Sequence, residues 1–324
     1  MHEPAPSIDS DCISIIKAGI QSTVQDLGRS GLRHLGISQA GALDAMSLIL
    51  ANKLVGNPEH LAGLEIVIGP VEIQFHRDSW FALCGANFGA TLEGKTIAKA
   101  WRHFARAGQH LVLRGAQKEA RVYFAIDGGI AVDPVLGARA TDIQAGFGGH
   151  AGRALRKGDI LPVGQAQNFT RSVGVQQRVW TPEVRAIRGP EFMQFDACAR
   201  KKFWQEAWQV SSQSNRMGFR LHGDSLHRSE PSDLLSHAVL PGVVQVPANG
   251  QPIVLLADCQ TTGGYPRIAT VIEADLWKIA QTPIGQHFCF LEVDIDTALD
   301  AQKKWRRELA RINSVDEKRG VTHA

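Results

Sequence analysis

Short apolar segments separated by turn-forming residues run along the whole sequence, and this pattern restricts the fold more than any other feature. Most of these segments are too short for an ordinary helix, and 32 glycines and 14 prolines are spread between them. Such spacing is typical of β-barrels and β-sandwiches. The predicted strands are Ile13–Ile16, Leu64–Ile68, Val71–Phe75, Trp80–Leu83, Leu111–Leu113, Arg121–Ile126, Val184–Ile187, Val243–Val246, Ile253–Ala257, Ile268–Ile272 and Phe288–Val293. The sequence therefore predicts a mostly β fold.

Two segments have helical spacing instead, and one polar stretch divides the chain. Apolar side chains recur on one stripe over residues 42–55, and a more charged helix is predicted over residues 295–312. The stretch between residues 162 and 182 is polar and poor in large apolar residues. It predicts an N-terminal β domain of residues 1–175 and a C-terminal β domain of residues 176–324 that carries the second helix.

Charge and composition exclude several classes of protein. Thirty-five Lys and Arg residues against 32 Asp and Glu residues give a formal net charge of +3, which is too balanced for a nucleic-acid binder that works by charge. The apolar segments fall far short of the roughly 20 residues of a membrane helix, and Met1–Pro4 resembles no secretory signal. Five scattered cysteines and the histidine spacings predict neither disulfides nor a metal site. A soluble, cytoplasmic protein is expected.

One segment matches the P-loop pattern of nucleotide-binding proteins. Residues Gly89–Thr96 read G-x-x-x-x-G-K-T, and an apolar run ending in Asp127 follows downstream. A P-loop needs a buried strand running directly into its first glycine and a helix after it. Here the preceding apolar run stops at Gly85, and the surrounding segments predict strands. We therefore favour a β-hairpin with Glu93 and Gly94 at its tip, while a P-loop stays open.

Three clusters of polar residues and glycine are candidates for a site. Ser211–Gly218 combines uncharged polar side chains with Arg216, and an arginine can hold a carboxylate by two parallel hydrogen bonds. Asp258–Arg267 follows a predicted strand and contains two glycines, as sites at strand ends often do. Within it, Cys259 is more readily explained as a passive small residue than as a nucleophile. Gly128–Arg153 is rich in glycine and is either a set of turns or a loop that lines a site.

Taken together, these segments resemble the allophanate hydrolase subunit 2 and KipA family. The motifs that carry the resemblance lie in order from about Ile13 to Phe290 and cover nearly the whole chain. They are Gly19–Gly31, Gly41–Asp44, Ala51–Asn57, Gly148-Gly149-x-x-Gly152-Arg153, Arg188–Glu191, Ser214–Gly218, Pro241–Pro247 and Asp258-x-Gln260 through Pro266. The 5-oxoprolinase branch of bacteria is the part of the family that the chain resembles most.

The resemblance implies a fold, an activity and partners. The expected fold is two cyclophilin-like β-barrel domains with a cleft between them and a few peripheral helices. The expected activity is the ATP-dependent opening of the lactam of 5-oxo-L-proline to L-glutamate, with magnesium-bound ATP used by a complex with a KipI-like B subunit and an A subunit. Two alternatives stay open: a biotin-dependent carboxyltransferase acting on a urea-like amide, and a KipA-like regulator without enzymatic activity that binds a KipI-like protein.

If the chain takes part in the opening of 5-oxo-L-proline, the polar clusters supply the site residues. Arg216 is expected to bind the substrate carboxylate, and Asp258 to act as a base or as a ligand of the metal-nucleotide. The remaining candidates are hydrogen-bonding residues Asn215, Gln245, Gln260 and Thr261, the pocket wall Tyr265, and the secondary candidates Arg29, Asp26, Asp44 and Arg139. A structural role is equally open for Asp26 and Asp44. Where many family members read Ser-Arg-Ser-Thr, this chain has Ala138-Arg139-Ala140-Thr141, so no role of those serines applies here.

Overall fold

The fold is mostly β, as the sequence predicts. A computed structural model describes residues 11–229 and 234–317, with side chains up to residue 312. Strands account for 32% of the chain and helices for 17%. The chain forms two compact units, one of residues 1–27 and 46–177 and the other of residues 28–45 and 178–324. The division of the chain into two domains at residue 175 stays a prediction.

The first unit contains two antiparallel sheets. The order of one is β11-β1-β4-β9-β6-β7, and the order of the other is β2-β3-β10-β5-β8. The strands are β1 Cys12–Ala18, β2 Ser22–Gln25, β3 Gly63–Ile66, β4 Val71–Phe75, β5 Ser79–Gly85, β6 Thr91–Leu92, β7 Lys95–Thr96, β8 Arg102–Ala105, β9 His110–Leu113, β10 Val122–Ile126 and β11 Ile160–Pro162. Helix α1, Ala45–Leu54, packs its Ala51 and Leu54 in a cluster with Ala125 of β10.

Alternation of side chains explains how these strands bury their apolar residues. In β4, Val71, Ile73 and Phe75 are buried and the residues between them are partly exposed, because successive side chains point to opposite faces. Strand β10 is buried at all five positions. Its Phe124 lies in the main apolar core, whereas Ala125 faces the cluster that α1 covers. A continuous apolar run therefore marks a strand that is covered on both faces.

The second unit is built around a closed seven-stranded barrel. Its strand order is β12-β19-β16-β17-β14-β13-β20, and β12 pairs with β20 in parallel to complete the ring. The strands of this unit are β12 Glu183–Arg188, β13 Ala207–Val210, β14 Gly218–His222, β15 His237–Ala238, β16 Val243–Gln245, β17 Ile253–Leu255, β18 Thr262–Gly263, β19 Arg267–Val271 and β20 His287–Glu292. The helices are α2 Ala197–Gln205, α3 Leu276–Gln281 and α4 Ile295–Glu317. Closure removes the exposed edges that an open sheet would have.

All eleven predicted strands and both predicted helices are confirmed, whereas shorter or more polar elements were missed. Helix α2 is one of these, although its first turn has a recognisable cap: the Asp196 side chain accepts a hydrogen bond from the backbone N–H of Ala199. Strand β15 and strand β18 have two residues each and pair only with one another. A pattern based on apolar alternation has nothing to detect in such short pairs.

The P-loop match is a hairpin, so the favoured interpretation of this segment is confirmed. Strands β6 and β7 pair through Thr91 with Thr96 and Leu92 with Lys95. At the tip, Glu93 and Gly94 both have positive φ, 47° and 74°, as a two-residue hairpin turn requires. No helix begins at Lys95, which is part of exposed strand β7.

Asp127, the downstream carboxylate of that match, has structural partners. It is fully buried, its carboxylate accepts a hydrogen bond from the backbone N–H of Gln167 at 2.9 Å, and it pairs with Arg77 at 3.3 Å. Burial raises the pKa of Asp127, and these partners oppose that effect. Among the described residues, no helix is long and apolar enough to span a membrane.

Candidate functional site

Arg216 and Asp258 form a buried ion pair at the centre of the predicted polar clusters. Nε and Nη2 of Arg216 each donate to one carboxylate oxygen of Asp258, and both distances are 2.9 Å. The side chains are 5% and 1% exposed. The backbone N–H of Asp258 also donates to the carbonyl of Arg216 at 3.1 Å. The two predicted catalytic residues are thus brought together, although they lie 42 positions apart in the sequence.

The ion pair changes what each residue can do. In this structure the planar fork of Arg216 binds Asp258, and its Nη2 also donates to the carbonyl of Gly41 at 2.6 Å. Both carboxylate oxygens of Asp258 accept a hydrogen bond from this guanidinium. The predicted roles of Arg216 as a substrate clamp and Asp258 as a base therefore stay predictions. The geometry favours a structural role in which the Arg216–Asp258 ion pair holds the loop after β17 in position.

Residues 28–45 belong to this unit through contacts that the sequence did not indicate. The backbone N–H of Ala40 donates to the carbonyl of Ala257 at 3.0 Å. Nη2 of Arg33 donates to the carbonyls of Val239 and Gln260, at 2.7 and 2.8 Å. Together with the bond from Arg216 to Gly41, these contacts attach the segment to the residues that flank Asp258.

Two secondary candidates lie in the same segment. Arg29 is buried, and its backbone N–H donates to the carbonyl of Gln39 at 2.7 Å. Asp44 is buried as well, and its carboxylate accepts a hydrogen bond from Nε2 of Gln281 in α3 at 2.7 Å. The bond from Gln281 supports a structural role for Asp44.

Gly28 shows how tightly the segment is folded. Its φ is +84°, and a Cβ atom at this position would lie 2.6 Å from the carbonyl oxygens of both Gln39 and Ala40. Such a separation is shorter than any van der Waals contact, so a side chain could enter only if the backbone moved. Glycine is required here for its conformation and for the space that it leaves.

A second part of the candidate site surrounds Gln245. This side chain is 1% exposed, and its Nε2 donates to the carbonyl of Tyr265 at 3.4 Å. A Cβ atom on Gly263 would lie 2.8 Å from the same Nε2. Tyr265 itself is half exposed. The absence of a side chain at Gly263 therefore leaves room for the buried amide of Gln245, while Tyr265 stays accessible.

The remaining candidates of this unit lie at its surface. Gln260 is exposed, and its backbone carbonyl receives the hydrogen bond from Arg33. The carbonyl of Thr261 accepts from the N–H of Val239 at 3.1 Å. Asn215 is exposed, and its Oδ1 accepts from the backbone N–H of Met217 at 2.8 Å, which stabilises the turn before β14. Among the described residues, none forms a hydrogen bond with the side chain of Gln260 or Thr261. Both side chains are therefore available for contact with a ligand.

Asp26 and Arg139 belong to the first unit, unlike the other candidates. The carboxylate of Asp26 accepts a hydrogen bond from the backbone N–H of Arg139 at 2.5 Å. Nε of Arg139 donates to the carbonyl of Val132 at 2.7 Å. These contacts fix the glycine-rich loop to the end of β2, so the structure supports a structural role for both residues.

The glycine-rich loop of the first unit also lines a cavity of about 520 Å³, which includes Val132, Gly148 and His150. Arg153, the last residue of this loop, forms two hydrogen bonds of 2.8 Å with the carboxylate of Asp159. The hydrogen bonds of Arg153 lower the pKa of Asp159 to about 2.

Several residues that shape the site were not identified from the sequence. Arg33 is one, since its neighbours gave no motif with a known chemistry. A second ion pair joins Arg267 and Glu191 through two hydrogen bonds of 2.7 and 2.8 Å, and the hydrogen bonds of Arg267 are the largest effect that lowers the pKa of Glu191. Burial raises the pKa of the Cys259 thiol, which supports the interpretation of this cysteine as a passive residue.

Comparison with known proteins agrees with this fold. Residues 35–292 match the family model described as carboxyltransferase domain, subdomain A and B. The Kluyveromyces lactis urea carboxylase structure superimposes with a TM-score of 0.88 at 25% identity. The match covers 94% of this chain and 30% of that one, so the chain corresponds to less than a third of that enzyme.

Two curated relatives match over nearly their whole length. The C subunit of the Escherichia coli 5-oxoprolinase is 48% identical over 93% of this chain and 97% of that protein. The C subunit of the Haemophilus influenzae 5-oxoprolinase is 38% identical over 94% of this chain and 99% of that protein. The chain therefore belongs to the carboxyltransferase-domain family and, within it, to the family of 5-oxoprolinase C subunits.

Proposed function

We propose that this chain is a subunit of an ATP-dependent 5-oxoprolinase, which opens the lactam of 5-oxo-L-proline to give L-glutamate. The observation that carries the proposal is the 48% identity to the C subunit of the Escherichia coli enzyme over 97% of its length. The partners we propose are a B subunit and an A subunit, because the names of both curated relatives describe one subunit among several.

The chemistry requires a surface that recognises a small polar amide. A lactam carbonyl is a poor electrophile, and phosphorylation of its oxygen by ATP would allow water to attack the carbon. We assign recognition of the substrate to the surface around Gln245, Thr261 and Tyr265, because the buried amide of Gln245 bonds to the backbone carbonyl of Tyr265, which is half exposed. The Arg216–Asp258 ion pair would hold the start of the loop that contains Thr261 and Tyr265, since Arg216 bonds to both Asp258 and the carbonyl of Gly41.

The segment that matches the P-loop pattern lacks the geometry of a phosphate-binding site for ATP. Phosphate groups bind where several backbone N–H groups converge at the start of a helix. Lys95 and Thr96 instead lie in an exposed hairpin strand. Among the described residues, no three acidic, histidine or cysteine side chains are close enough together to hold a metal ion. We therefore assign no step of ATP binding to the hairpin.

A biotin-dependent carboxyltransferase is the second candidate function, because the structural match to urea carboxylase favours it. This chain has no Met-Lys-Met segment to which biotin could be attached. Under this candidate function, the biotin attachment site would lie outside these 324 residues. Both candidates need a small amide in the site, so the identity of the substrate separates them.

The test is ATP hydrolysis that depends on 5-oxoproline, measured with the chain alone, with its B partner and with both partners. We expect turnover in the complete mixture. Tyr265→Ala should raise KM about tenfold, the effect of losing a hydrogen bond or a well-packed ring face. Ile284→Ala is the matched control in the same unit, because Ile284 is similarly exposed and outside the site.

Two results would contradict the proposal. One is an assembled wild-type complex without turnover that depends on 5-oxoproline. The other is carboxylation of urea by the same chain when a biotin carrier protein is supplied, which would establish the second candidate function instead.

A further inference from the structure

His237 has an unusual hydrogen-bonding arrangement in the second unit. Its Nδ1 lies 3.1 Å from the carbonyl oxygen of Leu235. A carbonyl oxygen can only accept, so Nδ1 must carry the proton, and the neutral ring then has its lone pair on Nε2. Nε2 is buried, and no residue in 11–229 or 234–317 donates to it. The ring therefore presents an acceptor that lacks a donor.

The pairing of β15 with β18 shows where this acceptor lies. His237 is directly opposite Gly263 in the antiparallel pair. Residues that are directly opposite have their Cβ positions about 5 Å apart and on the same face of the sheet. The Cβ direction of Gly263 leads to Nε2 of Gln245, 2.8 Å away. His237 therefore projects on the face where the buried amide of Gln245 lies.

The Glu191 carboxylate is a charged neighbour of His237. A protonated His237 would lie close enough to lower the pKa of Glu191, but the hydrogen bonds of Arg267 are the larger effect. Both carboxylate oxygens of Glu191 accept from Arg267. Glu191 therefore has its own cation in Arg267.

We propose that Nε2 of His237 binds the amide N–H of the substrate, as a hydrogen-bond acceptor beside Gln245. This inference rests on the proposed function and adds to it a residue that contacts the substrate. The ligand class is a small amide that keeps at least one N–H, as 5-oxoproline does. Glycine is needed at position 263, because a Cβ atom there would lie 2.8 Å from Nε2 of Gln245.

Two substitutions separate this role from a structural one. In His237→Asn, the side-chain N–H₂ can still donate to Leu235, but Nε2 is lost. In His237→Gln, the longer amide can place an acceptor oxygen near the position of Nε2. With the assembled complex, we expect His237→Asn to raise KM for 5-oxoproline about tenfold with little change in kcat, and His237→Gln to restore most of the affinity.

N-methylated 5-oxoproline provides a matched substrate, because it lacks the N–H. The wild-type complex should prefer 5-oxoproline over this analogue, and His237→Asn should lose most of the preference. Nitrogen-15 NMR of the histidine-labelled chain, with His237→Gln to assign the signal, should show the proton on Nδ1.

The outcomes are distinguishable from those of the proposed function. A wild-type complex that turns over 5-oxoproline while His237→Asn has the same KM would overturn the assignment of His237 and leave the function intact. A proton on Nε2 in the NMR experiment would overturn it as well. A wild-type complex without turnover would contradict the proposed function, whatever the histidine spectrum shows.

Discussion

The Arg216–Asp258 ion pair makes a quantitative prediction about stability. Asp258→Asn removes the negative charge that the buried guanidinium of Arg216 binds through two hydrogen bonds. Breaking a buried pair in this way costs about 3–5 kcal/mol of the free energy of unfolding. Asparagine can still accept one hydrogen bond, so we expect the lower end, about 3 kcal/mol. For a unit of this size that corresponds to a fall in Tm of roughly 6–12 °C.

A double-mutant cycle measures the interaction directly. Replacing both residues, as in Arg216→Met with Asp258→Leu, removes the unpaired charge, so the double mutant should be more stable than the sum of the single losses predicts. Urea unfolding gives the free energies, and hydrogen exchange of β14 and β17 reports on the second unit alone. Asp300→Asn is the control, since Asp300 pairs with Lys303 at the surface and should change stability by less than about 0.5 kcal/mol. Single losses below about 1 kcal/mol, or losses that simply add, would refute the reasoning.

Three further predictions concern other parts of the chain. The low pKa of Asp159, about 2, means that its ion pair stabilises the fold above about pH 4 and that this contribution is lost as the pH falls toward 2; the Tm of Asp159→Asn should be less sensitive to acid, and an unchanged acid profile would contradict the assignment. Gly28→Ala should cost at least about 2 kcal/mol more than Gly31→Ala, because both have positive φ but only Gly28 meets a backbone atom within 4 Å; equal losses in urea unfolding would disprove the steric argument. The exposed thiol of Cys198 should react with iodoacetamide under native conditions and the buried thiol of Cys259 should not, and mass spectrometry showing rapid labelling of Cys259 would count against its passive role.

Much of the fold could be predicted because its signals are local. The apolar runs in β4 and β10 are visible residue by residue, and the hairpin at Glu93 and Gly94 follows from turn chemistry within a few positions. Burial of apolar side chains drives these elements, and its pattern along the chain repeats the geometry of a strand. Strands β15 and β18 were missed because two residues carry no such pattern.

The candidate site was predictable only as a set of residues. Motifs drew attention to Arg216, Asp258 and Gln245, and the resemblance to a family suggested their chemistry. Nothing in those motifs indicated that the first two would bind each other, or that Arg33 would be bonded to the same loop. A hydrogen bond depends on distances of a few tenths of an ångström between groups far apart in the chain, and the order of residues contains no such distances.

The sequence alone determined the mostly β class, the positions of the longer strands and the membership of the polar clusters, because apolar periodicity and turn residues act between near neighbours. Tertiary structure alone decided that residues 28–45 join the second unit, that Asp258 occupies the fork of Arg216, and that His237 faces Gly263. These arrangements depend on tertiary packing, because each joins groups that are far apart in the chain and places polar groups where water is largely excluded.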